Sequence, residues 1–261
     1  MDAGGVGTAA HRCSTGHFRL SLLGRFLELG IQTHDIRASV EFYERLGFTQ
    51  AQTGDVWRHP YGVLTDGRVY LGLHQTRLDS PALTFVLPGL AGQLEALARS
   101  GVELSTVKLG GEVFNELGFR DPAGQPIRLL EARTFSPAAR PALETSRCGE
   151  FGWLSLPAAD IEPVRSFWQA AGLLTADVDE PYPHARLTGD ALQLALHRPR
   201  FFTEPLLVFR DADMSARIAR LRELGVGPME PPPRGLDASA NAVLSAPEGT
   251  ALLLLQHAGP A

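Results

Sequence analysis

The sequence predicts an α+β protein made of four units, each a strand, a helix and then several strands, paired into two tandem domains. Three observations carry this: a helix signature that recurs at a fixed distance, alternating apolar strands around each helix, and turn residues that keep the same spacing. The signature reads DIRASVEFYERLGF at residues 35–48 and DIEPVRSFWQAAGL at 160–173, an offset of 160 − 35 = 125. Phe42 with Phe167, and Gly47 with Gly172, hold that offset. Capping, packing and closing residues repeated together at one spacing mark duplicated supersecondary units.

The first unit opens on an alternating strand, Leu27 to Thr33, with Leu27, Leu29 and Ile31 on one face and Glu28, Gly30 and Gln32 on the other. Asp35 is suited to cap the following helix, since its carboxylate can accept a backbone N–H of the first turn. Ile36, Val40 and Tyr43 recur at helical spacing, and Gly47 can adopt the left-handed conformation that closes a helix. The strand VYLGLH at 69–74 then puts Tyr70, Gly72 and His74 on one face. The second unit starts with ALTFVL at 82–87 and the helical LAGQLEALARSGVE at 90–103. It ends with DPAGQPIRLLE at 121–131, an Asp-Pro-x-Gly turn feeding a strand that carries Arg128 among apolar neighbours. The second half repeats this order. A strand at Gly152 to Pro157 precedes the helix capped by Asp160, with Ile161, Val164 and Trp168 at helical spacing, and LQLALH follows at 192–197. Then come LLVF at 206–209, DMSARIARLRELGVG at 213–227 and a final turn, Ala246 to Gly249, that matches Asp121 to Gly124. The predicted division is a mobile tail at 1–22, a first domain at 23–135, a linker at 136–149 and a second domain at 150–257.

Composition narrows the function classes. With 44% apolar and 20% charged residues in 261, the chain can bury two sizeable cores without staples. A net charge of −5 offers no footprint for nucleic acid. The two cysteines, Cys13 and Cys148, form no CxxC, so neither a disulfide framework nor a zinc cluster is expected. The longest apolar run, Ala251 to Leu255, is far too short to span a bilayer, and the first residues make a poor secretory signal. The expectation is a cytoplasmic protein with no nucleic-acid or membrane partner, as a monomer or homodimer.

HDIRASVEFYERLGF resembles the first strand–helix junction of the vicinal oxygen chelate superfamily, and FRDPAGQPIRLLE resembles its final turn and strand. That superfamily includes glyoxalase I, the fosfomycin- and bleomycin-resistance proteins and the extradiol dioxygenases. The resemblance spans residues 25–135 and, more weakly, 150–257. It implies two glyoxalase-like domains in which paired βαβββ units form a cup, with helices outside and the site inside. In metal-using members it implies a divalent ion held by His, Glu or Gln on the first strand of each unit and on the last strand. The matching positions here are Glu28, about Ala82 with Thr84 and Val86 on the same face, and Arg128. Arginine stays protonated and has no lone pair to donate, so no metal is predicted, and a divalent metal enters only under an alternative reading. In the second domain the matching positions are Trp153 and about Leu253, with Gln193 beside them. That cup is apolar, and the domain reads as a degenerate, mainly structural copy.

The candidate ligand-binding residues are Glu28, Gln32, Trp57, His74, Thr84, Phe119 and Arg128, with Glu28 also the candidate catalytic residue. Arg128 suits a carboxylate or phosphate, and Glu28 a polar anchor or general base. The two could instead brace the cup as a salt bridge. His74 and His197 stand at strand ends, where histidine commonly meets solvent. His34 and His59 show no partner in sequence, and His184 falls in the proline-rich DEPYPHAR. Trp57, Tyr61, Phe114 and Phe119 belong to the strands and loops around the first cup and read equally as core or rim. The sequence has no glycine-rich phosphate loop, no GxSxG and no nucleophile with a recognisable partner. The leading expectation is a metal-free small-molecule binding protein of the resistance or sequestration kind, taking an anionic or aromatic ligand in the first cup. The alternatives are a metal-dependent glyoxalase-type lyase or isomerase, or an extradiol dioxygenase. A further one is a metal-free enzyme with Glu28 as base and Arg128 as clamp on an anionic intermediate. Contact between Glu28 and Arg128 separates the first reading from the last.

Overall fold

Two eight-stranded mixed sheets form the protein, a computed structural model that describes residues 23–52, 57–111, 114–131, 146–177, 182, 185–189, 191–200 and 202–257. The expected tail at 1–22, Cys13, His184 and all but the end of the linker at 136–149 lie outside the described residues. The first unit comprises β1 (Arg25–Gln32), α1 (Ile36–Arg45), β2 (Thr49–Ala51), β3 (Tyr61–Thr65) and β4 (Tyr70–His74). The second comprises β5 (Ala82–Leu87), a 3-10 turn (Leu90–Gln93), α2 (Leu94–Arg99), β6 (Leu104–Lys108), β7 (Glu116–Arg120) and β8 (Pro126–Glu131). The third has β9 (Glu150–Pro157), α3 (Ile161–Ala170), β10 (Leu174–Asp177), β11 (Ala185–Thr188) and β12 (Gln193–His197). The fourth has β13 (Leu206–Asp211), α4 (Met214–Glu223), β14 (Met229–Glu230), β15 (Ala242–Ser245) and β16 (Ala251–Gln256). Each unit is therefore βαβββ. No helix among the described residues is long and apolar enough to cross a membrane.

Local chemistry sets these boundaries as the sequence predicts. The Asp35 carboxylate accepts from the Ala38 N–H at 3.1 Å, and Asp160 does the same for Glu162. Gly47 and Gly172 close their helices at φ 92° and 102°, which only glycine adopts without strain. The first sheet runs β2-β3-β4-β1-β5-β8-β7-β6, and the second repeats it as β10-β11-β12-β9-β13-β16-β15-β14. In each, the two units meet along an antiparallel pair, β1 with β5 and β9 with β13.

One face of each sheet packs under the helices in a single core that joins both domains, from Leu29, Ile31 and Phe42 to Leu156, Trp168 and Phe209. The domain contact is reciprocal. Ser39 and Tyr43 of α1 donate to the Glu248 carboxylate in the last turn of the second domain, at 2.8 and 2.7 Å. Trp168 of α3 donates from Nε1 to Asp121 in the last turn of the first, at 3.0 Å. Burial pushes the Asp121 carboxyl above its usual range, and burial with the neighbouring Glu248 pushes the Tyr43 phenol well above its own.

Candidate functional site

Strand register builds the inner face of the first domain. Glu28 of β1 lies opposite Thr84 of β5, Thr84 opposite Arg128 of β8, and Arg128 opposite Gly118 of β7. One row thus crosses four strands. Glu28 and Arg128 nevertheless make no ion pair among the described residues, because each turns away from the other. The Glu28 carboxylate lies over Gly72, filling the space a side chain there would occupy. It accepts from Tyr61 Oη at 2.6 Å and faces His74 Nε2 at 3.3 Å. Arg128 turns towards the other edge, where its Nε donates to Glu116 at 2.9 Å and its guanidinium sits 5.5 Å from the Trp57 ring centre. The alternative of a brace between the two is not met among the described residues. Missing from the sequence argument were Gly72, which gives Glu28 room to fold back, and Glu116, which holds Arg128.

His74 carries a second correction. It is 1% exposed and not at the solvent, because the loop before β3 lays Trp57 and His59 over the end of β4. His59 Nε2 lies 3.0 Å from His74 Nδ1, a partnership sequence spacing could not reveal. If Glu28 is a carboxylate, the network orients itself. His74 then donates from Nε2 to Glu28, so its Nδ1 is left to accept from His59 Nε2. Burial, then His74 and Arg128 beside it, lower the His59 pKa from its usual value, so the neutral imidazole is favoured. His197 of the second domain is also fully buried, correcting the same expectation. It faces Ser155 Oγ at 2.8 Å and the Phe202 carbonyl at 3.0 Å.

The remaining candidates separate. Trp57 packs against His59, Tyr61, His74 and Phe114, with ring centres 5.1 to 5.6 Å away. Gln32 works as a strap: its side-chain oxygen accepts from the Leu78 N–H at 3.0 Å and holds the loop after β4. Thr84 is fully buried, and its hydroxyl points to the inner face beside Gly30 with no hydrogen-bond partner among the described residues. The buried indole N–H of Trp57 likewise has none among them. Phe119 is not in the cup. It alternates with Gly118 on β7, so it points to the helix side and packs on Phe167 at a 6.4 Å ring separation. Glu116 sits below the usual glutamate range. Burial alone would raise it, but Arg128 and Lys108 outweigh that.

The second cup is closed by side chains. Trp153, Val208, Leu253, Leu206 and Tyr182 pack together, and the Arg186 and Arg210 guanidinium groups lie 4.6 and 5.2 Å from the Trp153 ring centre. Gln193 hydrogen-bonds to the Gly189 carbonyl at 3.3 Å.

No protein-family model matches the chain, and no curated protein does. Solved structures are similar along nearly all of it. A catechol 2,3-dioxygenase is 16% identical, covers 92% of this chain and 90% of its own, and superposes with a TM-score of 0.56. Homoprotocatechuate 2,3-dioxygenase from Arthrobacter globiformis is 14% identical over 90% of this chain and 80% of that one, TM-score 0.56. An extradiol ring-cleaving dioxygenase from B. fuscum is 16% identical over 92% and 72%, TM-score 0.57. At such identity the likeness establishes the fold alone. The donor set in the first cup does not fit a divalent metal. Ala82 and Arg128 stand where the resemblance implies ligands; alanine has no donor atom, and Arg128 would place a fixed cation beside the ion. Among the described residues no group of three His, Cys, Asp or Glu side chains is arranged to hold a metal ion.

Proposed function

On the premise of a tandem vicinal-oxygen-chelate fold, we propose that this chain is a metal-free small-molecule binding protein of the resistance or sequestration kind. Its ligand occupies the cup of the first domain. The observation that carries this reading is the row Glu28–Thr84–Arg128, with a fully buried Thr84 hydroxyl that has no partner among the described residues. A buried hydroxyl without a hydrogen bond costs about 1–3 kcal/mol, and a bound ligand oxygen would recover that. The terminal nitrogens of Arg128 have no hydrogen-bond partner among the described residues, because only Nε is spent on Glu116. They give an anionic group a two-pronged site beside the Trp57 face. Glu28 and Gln32 support the cup from behind, one through Tyr61 and His74, the other through the loop after β4. The tandem arrangement, with a cup in each domain, leaves the second as the packed partner.

A second reading has one observation in its favour. Glu28 is separate from Arg128 and linked through His74 to the half-buried His59. That arrangement suits a metal-free enzyme in which Glu28 takes a proton and the two imidazoles pass it outward, while Arg128 holds the anionic part of the substrate. Proton uptake at Glu28 would have to break its Tyr61 bond or share it, so the binding reading is preferred.

The test starts with metal content after incubation with nickel, manganese, zinc and iron(II) and desalting. Near-zero stoichiometry is expected, and about one retained ion per chain would overturn the metal-free reading. A thermal-shift screen of carboxylates and phosphates, aromatic and aliphatic, follows. Hits should be lost in Arg128→Ala and kept in Trp153→Ala. Equal loss in both variants would remove the site from the first cup. Turnover of a hit that stops in Glu28→Gln while binding persists would move the enzyme reading to first place.

A further inference from the structure

The two domain junctions should be equivalent, since each packs the helix of one domain's first unit against the last turn of the other. One is filled. There Phe42, Leu46 and Val226 are all buried, the Phe42 ring reaches Gly227, and Arg45 reaches the Gly225 carbonyl from Nη1 at 3.5 Å. The other is open. A cavity of about 690 Å³ lies between α3 and the α2–β6 corner, lined by Leu97, Val102, Leu104, Phe119 and Phe167 among others. The reason is legible in the repeat: at the 125-residue offset, Arg45 and Leu46 are replaced by Ala170 and Ala171, which line the cavity. Phe167 remains half-buried where Phe42 is fully buried.

We propose that this open junction is a second ligand site, separate from the first cup, for a compact aromatic or alicyclic amine. Its size is in the range of small-molecule sites, which run to about 300–1,000 Å³. Its walls are mainly apolar, with the Phe119 and Phe167 rings as flat surfaces. The ionic groups at its edge fix the sign of the ligand. Arg120 is spent, with Nη2 on Asp79 at 2.6 Å and Nη1 on the Gly124 carbonyl at 2.7 Å. Two carboxylates also line the cavity: Asp121 is taken up by Trp168 and by the Ala123 and Gln125 N–H groups, whereas Glu103 has no ion pair among the described residues, so the uncommitted charge there is negative. A cationic amine is attracted, and a carboxylate of the same shape is repelled. Phe119 thus belongs to a ligand site, on the opposite face of β7 from Gly118 and Arg128.

The probes are 1-naphthylmethylamine and 1-naphthylacetate, which share a ring and differ in charge, titrated by naphthalene fluorescence at neutral pH. The amine should bind saturably and at least about tenfold more tightly than the acid, a gap of about 1.4 kcal/mol. Ala171→Leu and Ala170→Arg restore the residues of the filled junction and should each weaken the amine by about tenfold or more. Ala170 is exposed, so its variant keeps the test valid if the leucine disturbs packing. No saturable binding of the amine, equal binding of the acid, or an amine affinity unchanged in folded Ala170→Arg would each overturn the proposal.

Discussion

Gly72→Ala is a substitution whose effect follows from geometry. The new methyl would fall on the Glu28 carboxyl carbon and both its oxygens. Ordinary carbon contacts lie at about 3.5–4.0 Å, so the carboxylate must move by more than about 1 Å. It cannot do so and keep its bonds from Tyr61 and His74. Gly72 has no positive φ, so without the clash an alanine would be neutral or slightly stabilising through the unfolded state. Losing two hydrogen bonds to a charged group costs about 1.5 kcal/mol each at the low end, about 3 kcal/mol in all. In a chain of this size that lowers Tm by about 6–12 °C. The assay is thermal and urea denaturation of the two single variants and of the pair Gly72→Ala with Glu28→Ala. Removing the carboxylate makes room for the methyl, so the double variant should be more stable than the sum of the singles by about 1.5 kcal/mol or more. A Tm within about 2 °C of the parent for Gly72→Ala, or additive costs in the double variant, would refute this account of how Glu28 is held.

Three further outcomes are expected. The His59 pKa is depressed from its usual 6.5, so the unfolded chain takes up a proton the folded one refuses; stability should fall as pH drops below 6.5 and level off once the folded His59 titrates. His59→Gln should lose less stability than the parent between pH 7.5 and the acid side of that window, and an equal loss by urea titration would count against it. Glu248→Ala removes the acceptor that Ser39 and Tyr43 share at the domain junction and should cost about 2–3 kcal/mol while leaving ligand binding in the first cup intact; an unchanged unfolding midpoint would show that water replaces the carboxylate. Burial raises the Cys148 thiol to about 12, so in a Cys13→Ser background it should resist a thiol reagent at pH 8 until the chain unfolds. Rapid labelling of the folded protein would contradict that burial.

Much of the fold was legible because it rests on short-range chemistry. Asp35 and Asp160 cap the helices that follow them, Gly47 and Gly172 close them, and the offset between the copies reports the duplication directly. Alternation grouped Glu28 with Gly30 and Gln32, and the resemblance implied that Thr84 and Arg128 share the inner face. Phe119, a candidate only from its place in the strands and loops around the cup, lies on the other face, because Gly118 beside it takes the inner one.

What the sequence determined by itself was the four-unit architecture, since caps, turns and strand periodicity act within a few residues of chain. The tertiary structure decided which of the first cup's side chains touch. Glu28 is drawn to Tyr61 and His74 because Gly72 leaves a gap on the next strand, and Arg128 is drawn to Glu116 across the other edge. His59 meets His74 only because a loop folds back over β4. Such choices are made by neighbours far apart in sequence, brought within hydrogen-bond range by strand order, and no local pattern encodes them.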